Sequence, residues 1–173
     1  MAQRMNRPSV RAAAAALLVA AVAFAGWSGW SWFDAAHDET LAYATARDDA
    51  LRTGREHIAQ LTTLDHHDVD GGIARWLDVS TGSLHDELSR TDDETRTTLR
   101  QGAAVSTGKV LDAAISELDQ RAGTARMLAS VEITVAKEGA APATKRNRFV
   151  AQLTRTDAGW KLSAIDQVPL GTR

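Results

Sequence analysis

The chain predicts an α+β fold behind a single membrane-spanning helix, on three observations. An uncharged apolar run lies near the N-terminus, an apolar period of 3.6 residues follows it, and past Gly102 the period changes to 2. Helices first and strands second, without alternation, place the helices on one face of an antiparallel sheet rather than between parallel strands. The 173 residues, 44% hydrophobic and 24% charged, suit one folded domain with an appendage. A formal net charge of −2 and the lack of any basic-aromatic face exclude nucleic acid as the expected partner. The absence of cysteine excludes disulfides, thiolate catalysis and cysteine-ligated zinc.

Residues 12–33, AAAAALLVAAVAFAGWSGWSWF, carry no charge. At about 1.5 Å per residue they reach about 33 Å, enough to cross a hydrocarbon core. Arg4, Arg7 and Arg11 precede the run and Asp34, Asp38 and Glu39 follow it. The positive-inside rule therefore makes residues 1–11 a cytoplasmic tail and puts the rest outside the cytoplasmic membrane. Ala23-Phe24-Ala25 also fits a signal-peptide cleavage site, which would leave Gly26 as the mature N-terminus. Trp27, Trp30, Trp32 and Phe33 argue for a retained anchor, because aromatic rings gather where a helix meets the head groups.

Residues 34–64 lack proline and repeat Ala46, Ala50, Leu51, Gly54, Ile58 and Leu61 at three- and four-residue steps. That spacing predicts one long amphipathic helix, continuous with the span, and residues 65–173 complete one extracytoplasmic domain with it. Ile73, Trp76, Leu77 and Val79 predict a second helix that stops near Ser80-Thr81-Gly82, and Leu84 and Leu88 a third to about Arg90. Thr91 is the expected cap of a fourth, with Asp92, Asp93 and Glu94 complementing its first turn.

Four strands follow. One lies between about Val105 and Leu118, and residues 119–123 turn it into a second, where Met127, Ala129, Val131, Ile133 and Val135 alternate with polar positions. Phe149, Ala151 and Leu153 mark a third; Trp160, Leu162 and Ala164 mark a fourth across the Asp157-Ala158-Gly159 turn. Short turns between consecutive strands make an antiparallel meander. Charge divides with structure: residues 34–100 carry 15 acidic and 7 basic side chains, whereas residues 101–173 carry 7 and 10. An acidic helical layer against a mildly basic sheet is normally a solvated asymmetry, and it can also orient a partner.

Ala46-Arg47-Asp48-Asp49-Ala50, Leu61-Thr62-Thr63-Leu64-Asp65, Trp76-Leu77 before Ser80-Thr81-Gly82, and Gly159-Trp160-Lys161-Leu162-Ser163 occur in this order from the span to the last strand. In them the chain resembles the Mce-associated membrane proteins of actinobacteria, single-span proteins encoded beside mammalian-cell-entry lipid importers. The resemblance implies the cone-shaped fold shared by nuclear transport factor 2, the ketosteroid isomerases and the outer domains of type IV secretion scaffold proteins. It also implies a non-enzymatic accessory role beside Mce transporter subunits that import lipids or sterols, with no cofactor, no catalytic residues, and room for homo- or hetero-oligomers. The alternatives are a ketosteroid-isomerase-like enzyme and a lipid- or sterol-binding module.

The segment LDHHDVDGG, residues 64–72, raises a metal question through Asp65, His66, His67, Asp68 and Asp70. Imidazole and carboxylate suit zinc-like ions, yet neighbours do not share a helical face and no distant histidine completes a known spacing. The structural reading is preferred: a polar corner where Asp68 or Asp70 caps the next helix and Gly71-Gly72 relieve the backbone. His57 borders the apolar stripe and could look inward as a general base, although packing is the ordinary use of such a residue. Trp76 and Trp160 are expected to anchor the core or line a pocket. His37 and His85 lie in charged surroundings. Lys145-Arg146-Asn147-Arg148 reads as a soluble strand opening that could also touch anionic lipid or an acidic partner.

Overall fold

A computed structural model describes the backbone of residues 10–168 and the side chains of residues 18–32 and 40–168. Most of the expected cytoplasmic tail, the side chains of residues 12–17, and those of Phe33 and His37 lie outside the described residues. The chain divides into two compact units, Met1–Ala44 and Thr45–Arg173.

Helix α1 runs Val10–Leu61. In the first unit, Leu18, Val19, Val22, Phe24, Trp27, Trp30 and Trp32 are all exposed, the tryptophans at about 80%. Among the described residues no helix is long and apolar enough to cross a membrane.

The second unit takes the remainder of α1, then β1 (Leu64–Asp65), a single 3-10 turn over residues 66–68, α2 (Val69–Asp78), α3 (Gly82–Ser89), α4 (Asp93–Gln101), and β2 (Ala104–Asp119), β3 (Thr124–Lys137), β4 (Ala143–Thr156) and β5 (Gly159–Gln167). The sheet is antiparallel in the order β1-β2-β3-β4-β5. It is thus α+β as expected, but five-stranded rather than four. The added strand is two residues long, Leu64 opposite Ser106 and Asp65 opposite Val105. No period shows in two residues, so the pairing leaves no trace in the sequence pattern.

The core lies between the helices and one face of the sheet. Ala50 and Ile58 from α1 and Leu84 from α3 pack with Ala125, Met127, Ala129, Val131, Ala151, Leu153, Trp160 and Leu162. Each large side chain so buried contributes about 1.5–3 kcal/mol of hydrophobic stabilisation. The 3.6 period of α1 and the alternation of β3 thus point to the same interior. Gly54 lets α1 approach, since a Cβ there would meet the Met127 thioether and a Leu153 methyl.

Three local expectations need correction. On β5, Ile165 rather than Ala164 continues the inward face. Leu153 pairs with Leu162 and Gln152 with Ala164, leaving Ser163 as an unpaired bulge residue, and one extra residue inverts a period of 2. At α4 the cap is Asp92, which accepts from the Thr95 N–H at 2.8 Å, while the Thr91 hydroxyl donates back to the Leu88 carbonyl at the end of α3. Gly71 and Gly72 lie inside α2, not in a loop. A Cβ at Gly71 would strike the Asp68 carboxylate, and one at Gly72 would strike Leu64, so these glycines admit neighbours rather than loosen the chain.

Candidate functional site

The corner between α1 and α2 gathers the polar groups singled out in the sequence. Asp65 is extended (φ −106°, ψ 126°) and ends β1. Its Oδ1 accepts the His67 N–H at 2.9 Å and lies 2.9 Å from His67 Nδ1 and 3.6 Å from His66 Nδ1. The two imidazole rings are 3.8 Å apart and tilted by 44°. The hydrogen bonds from His67, the backbone one first, hold the Asp65 carboxyl below its ordinary pKa, so it is ionised at neutral pH.

Asp68 and Asp70 do not join this group. Asp68 accepts from the Gly71 N–H and so caps α2, and its other oxygen meets Arg75 at 3.1 Å. Asp70 takes Arg96 at 2.8 Å and Arg100 at 2.7 Å, tying α2 to α4. The expected ligand list therefore splits: Asp65, His66 and His67 converge, whereas the other two carboxylates are held by arginines.

The Asp70 pair carries a pH prediction. Hydrogen bonds from Arg96 and then Arg100 lower its pKa from the ordinary 3.8. A depressed folded pKa stabilises the fold above the unfolded value, and that contribution is lost as pH falls through the lower folded one. Acid titration of folded content is expected to be shallower below about pH 4 in Asp70→Asn than in the parent. Superimposable acid curves would remove the assigned role.

Trp76 is half-buried and donates its indole N–H to the Gln60 and Thr63 carbonyls at 3.1 and 3.2 Å, satisfying the open C-terminal end of α1. Trp160 is 3% exposed and belongs to the core cluster. His57 lines a cleft of about 270 Å³ with Asp49, Arg52, Thr53, Asp78 and Lys161. Its Nδ1 is buried without a hydrogen-bond partner, and burial lowers its pKa, so the imidazole is neutral at neutral pH. Of the basic run, Arg146 reaches Glu132 at 3.3 Å on the neighbouring strand.

The seam between α2 and β5 joins segments that carry no local signal for each other. Thr81 N–H donates to the Leu162 carbonyl at 2.8 Å and Leu162 N–H to the Val79 carbonyl at 2.9 Å, so part of the β5 edge is paired. Ser80 is buried there, and His85 Nδ1 lies 3.1 Å from the Leu77 carbonyl. The segments Ser80-Thr81-Gly82 and Gly159-Trp160-Lys161-Leu162-Ser163, far apart in sequence, thus meet.

A family model described as "Uncharacterized protein Rv1363c/MT1408-like" matches residues 8–169. The uncharacterized protein Rv1363c of Mycobacterium tuberculosis is 24% identical over 169 residues, covering 96% of this chain and 62% of that protein. The chain therefore spans less than two thirds of that relative's length. Among solved structures, an IcmL-like type IV secretion system protein of Legionella pneumophila superimposes with a TM-score of 0.57 at 9% identity, covering 71% of this chain and 92% of that one. VirB8 of Agrobacterium tumefaciens gives 0.52 at 8% identity, covering 70% and 92%. At such identities the likeness establishes a shared architecture alone, helices packed over an antiparallel sheet.

Proposed function

The chain belongs to the Rv1363c/MT1408-like family, and from that footing we propose that it is a non-enzymatic accessory protein of the cell envelope. In this reading the apolar part of α1 anchors it in the cytoplasmic membrane with the N-terminus inside. Its Thr45–Arg173 unit faces outward and docks onto an Mce-type lipid or sterol import complex.

The observation that carries the proposal is the surface of α1 over residues 18–32. Seven large apolar side chains stand exposed there and no charge interrupts them. A contiguous apolar surface of that kind needs an apolar surrounding, and lipid supplies one for a helix flanked by arginines on one side and carboxylates on the other. The filled interior supports the non-enzymatic part. An isomerase-like site needs an open apolar cone, and here Ile58, Met127, Leu153, Trp160 and Leu162 occupy the space between α1 and the sheet. The fold shared with a type IV secretion system protein supports the accessory role, and the Mce-like sequence words support the choice of importer.

Alkaline carbonate washing is expected to leave the protein in the membrane pellet, with an intact N-terminus by mass spectrometry. Release into the wash, or a mature chain starting at Gly26, would defeat the anchor. Affinity capture from detergent-solubilised membranes is expected to recover importer subunits. Capture of none, with the importer intact in the same extract, would defeat the docking assignment.

A lipid-binding reading has one observation of its own. An open, largely apolar groove of about 320 Å³ is lined by Ala113, Ala114, Leu128, Phe149 and Val168. Saturable binding of a fluorescent acyl chain that is lost in Leu128→Asp would favour it.

A further inference from the structure

We propose that Asp65, His66 and His67 form a binding site for a divalent transition-metal ion of the zinc class, held by Asp65 Oδ1 and one imidazole nitrogen from each histidine. The site is independent of the accessory role proposed above, and it lies at the corner that the sequence alone reads as merely polar.

Geometry is the first support. Each of the three residues offers a ligand atom, and these atoms all lie within 4.8 Å of one another. Two ligands bound at about 2.0–2.1 Å with a tetrahedral angle between them sit about 3.3 Å apart. Asp65 Oδ1 is 2.9 Å from His67 Nδ1 and 3.6 Å from His66 Nδ1, so the two separations straddle that value. The two imidazole nitrogens lie within 4.8 Å of each other, and rotation about the His67 side-chain bonds is what would bring them to the same spacing.

The second support is independent of the first. His66 is only 11% exposed at its side chain, and its Nδ1 is buried with no hydrogen-bond partner. A buried ring nitrogen left unsatisfied costs free energy, and metal coordination is one way to satisfy it. His67 at 68% and Asp65 at 46% form the accessible side, so an ion has an entry path and keeps a position open to solvent, as three-ligand sites do.

The surroundings hold the shell in place and set its composition. The His67 N–H fixes the Asp65 carboxylate through Oδ1, and Asp65 itself is pinned in β1 opposite Val105. Arg75, Arg96 and Arg100 take the Asp68 and Asp70 carboxylates, so a hard, oxygen-rich site of the calcium type does not assemble. Two imidazoles and one carboxylate suit ions of borderline softness. The objection that adjacent residues cannot share a face applies to a helix. Here Asp65 is extended and the 3-10 turn of residues 66–68 starts directly after it, and that junction folds the carboxylate back against both rings.

The test uses the full chain in detergent, without a histidine tag and stripped with chelator. It is titrated with Zn²⁺ by calorimetry and with Co²⁺ as an optical probe of coordination. One Zn²⁺ per chain is expected, with Co²⁺ absorption bands shifted from those of the aqueous ion. His66→Asn/His67→Asn is expected to abolish both signals, and His67→Asn alone, at an exposed side chain, to weaken Zn²⁺ binding by more than the about 10–100-fold that loss of an outer-shell partner costs. Circular dichroism reports the fold of each variant, and if the double variant is misfolded the His67→Asn titration decides. Absence of saturable binding in the parent, or stoichiometric binding unchanged in His67→Asn, overturns the site. So does binding that persists in a folded double variant but is lost in His37→Asn.

Discussion

Replacing Trp160 with alanine is expected to lower the stability of the folded unit by about 3–5 kcal/mol. The indole is 3% exposed and packs in the cluster formed by α1, α3 and the sheet. Truncation removes its transfer free energy and leaves a cavity, and the flanking Leu162 and Leu153 are set in strands that cannot collapse freely. Against a total stability of about 5–15 kcal/mol, that loss is enough to lower the melting temperature by roughly 10–20 °C. Thermal unfolding followed by circular dichroism on the detergent-solubilised chain checks it. Leu111→Ala is the comparison: Leu111 is more than a third exposed at a bulge of β2, and the change should stay within about 0.5–1 kcal/mol. Equal losses in the two variants would mean that the core is not where the structure places it.

Gly108→Val should be nearly as damaging for the opposite reason, too much volume. Gly108 is the point where β2 passes beneath the end of α1. A Cβ there would overlap the Thr62 side chain and come within 3.3 Å of the Ala59 carbonyl. Thr62 cannot simply rotate, because its hydroxyl donates to the Ile58 carbonyl at 2.7 Å and to that of Ala59 at 3.2 Å. Gly108 N–H in turn donates to the Thr63 hydroxyl at 3.1 Å, so side chain and backbone are locked together. Overpacking of this kind costs about 1–3 kcal/mol, and the loss of the hydrogen bonds adds to it. Thr62→Gly introduced into the Gly108→Val background should recover part of the loss. No recovery would show that the strain arises elsewhere.

Both predictions mark the boundary of what the chain spells out locally. The inward face of β3 was readable because Ala125, Met127, Ala129 and Val131 keep strict alternation along an unbroken strand. β2 could only be bracketed. Register shifts between Val110 and Asp112 and between Ile115 and Glu117 interrupt its period, so no single phase of apolar residues runs through it. The stripe of α1 was legible through Ala50, Gly54 and Ile58, while the purpose of Gly54 was not, because the atoms that require it come from β3 and β4. Trp76 shows the same limit. Its spacing marks a helix, and nothing local says that its indole N–H closes the end of α1.

The candidate corner was visible as residue types, and the convergence of three of them was not visible as geometry. Five possible ligands within six positions were plain in the sequence, and spacing argued against their convergence. What spacing could not show was that β1 begins at Leu64, holding Asp65 extended, while the arginines of α2 and α4 remove Asp68 and Asp70. By itself the sequence determined the α+β class, the inward sides of α1 and β3, the hairpin positions and the apolar run before the domain, because each is a periodic or compositional property of neighbouring residues. Tertiary structure alone decided the fifth strand, the roles of Gly72 and Gly108, the edge seam from Val79 to Leu162 and the partition of the acidic corner. Each of those depends on which distant segment is packed alongside, and a local pattern carries no term for that contact.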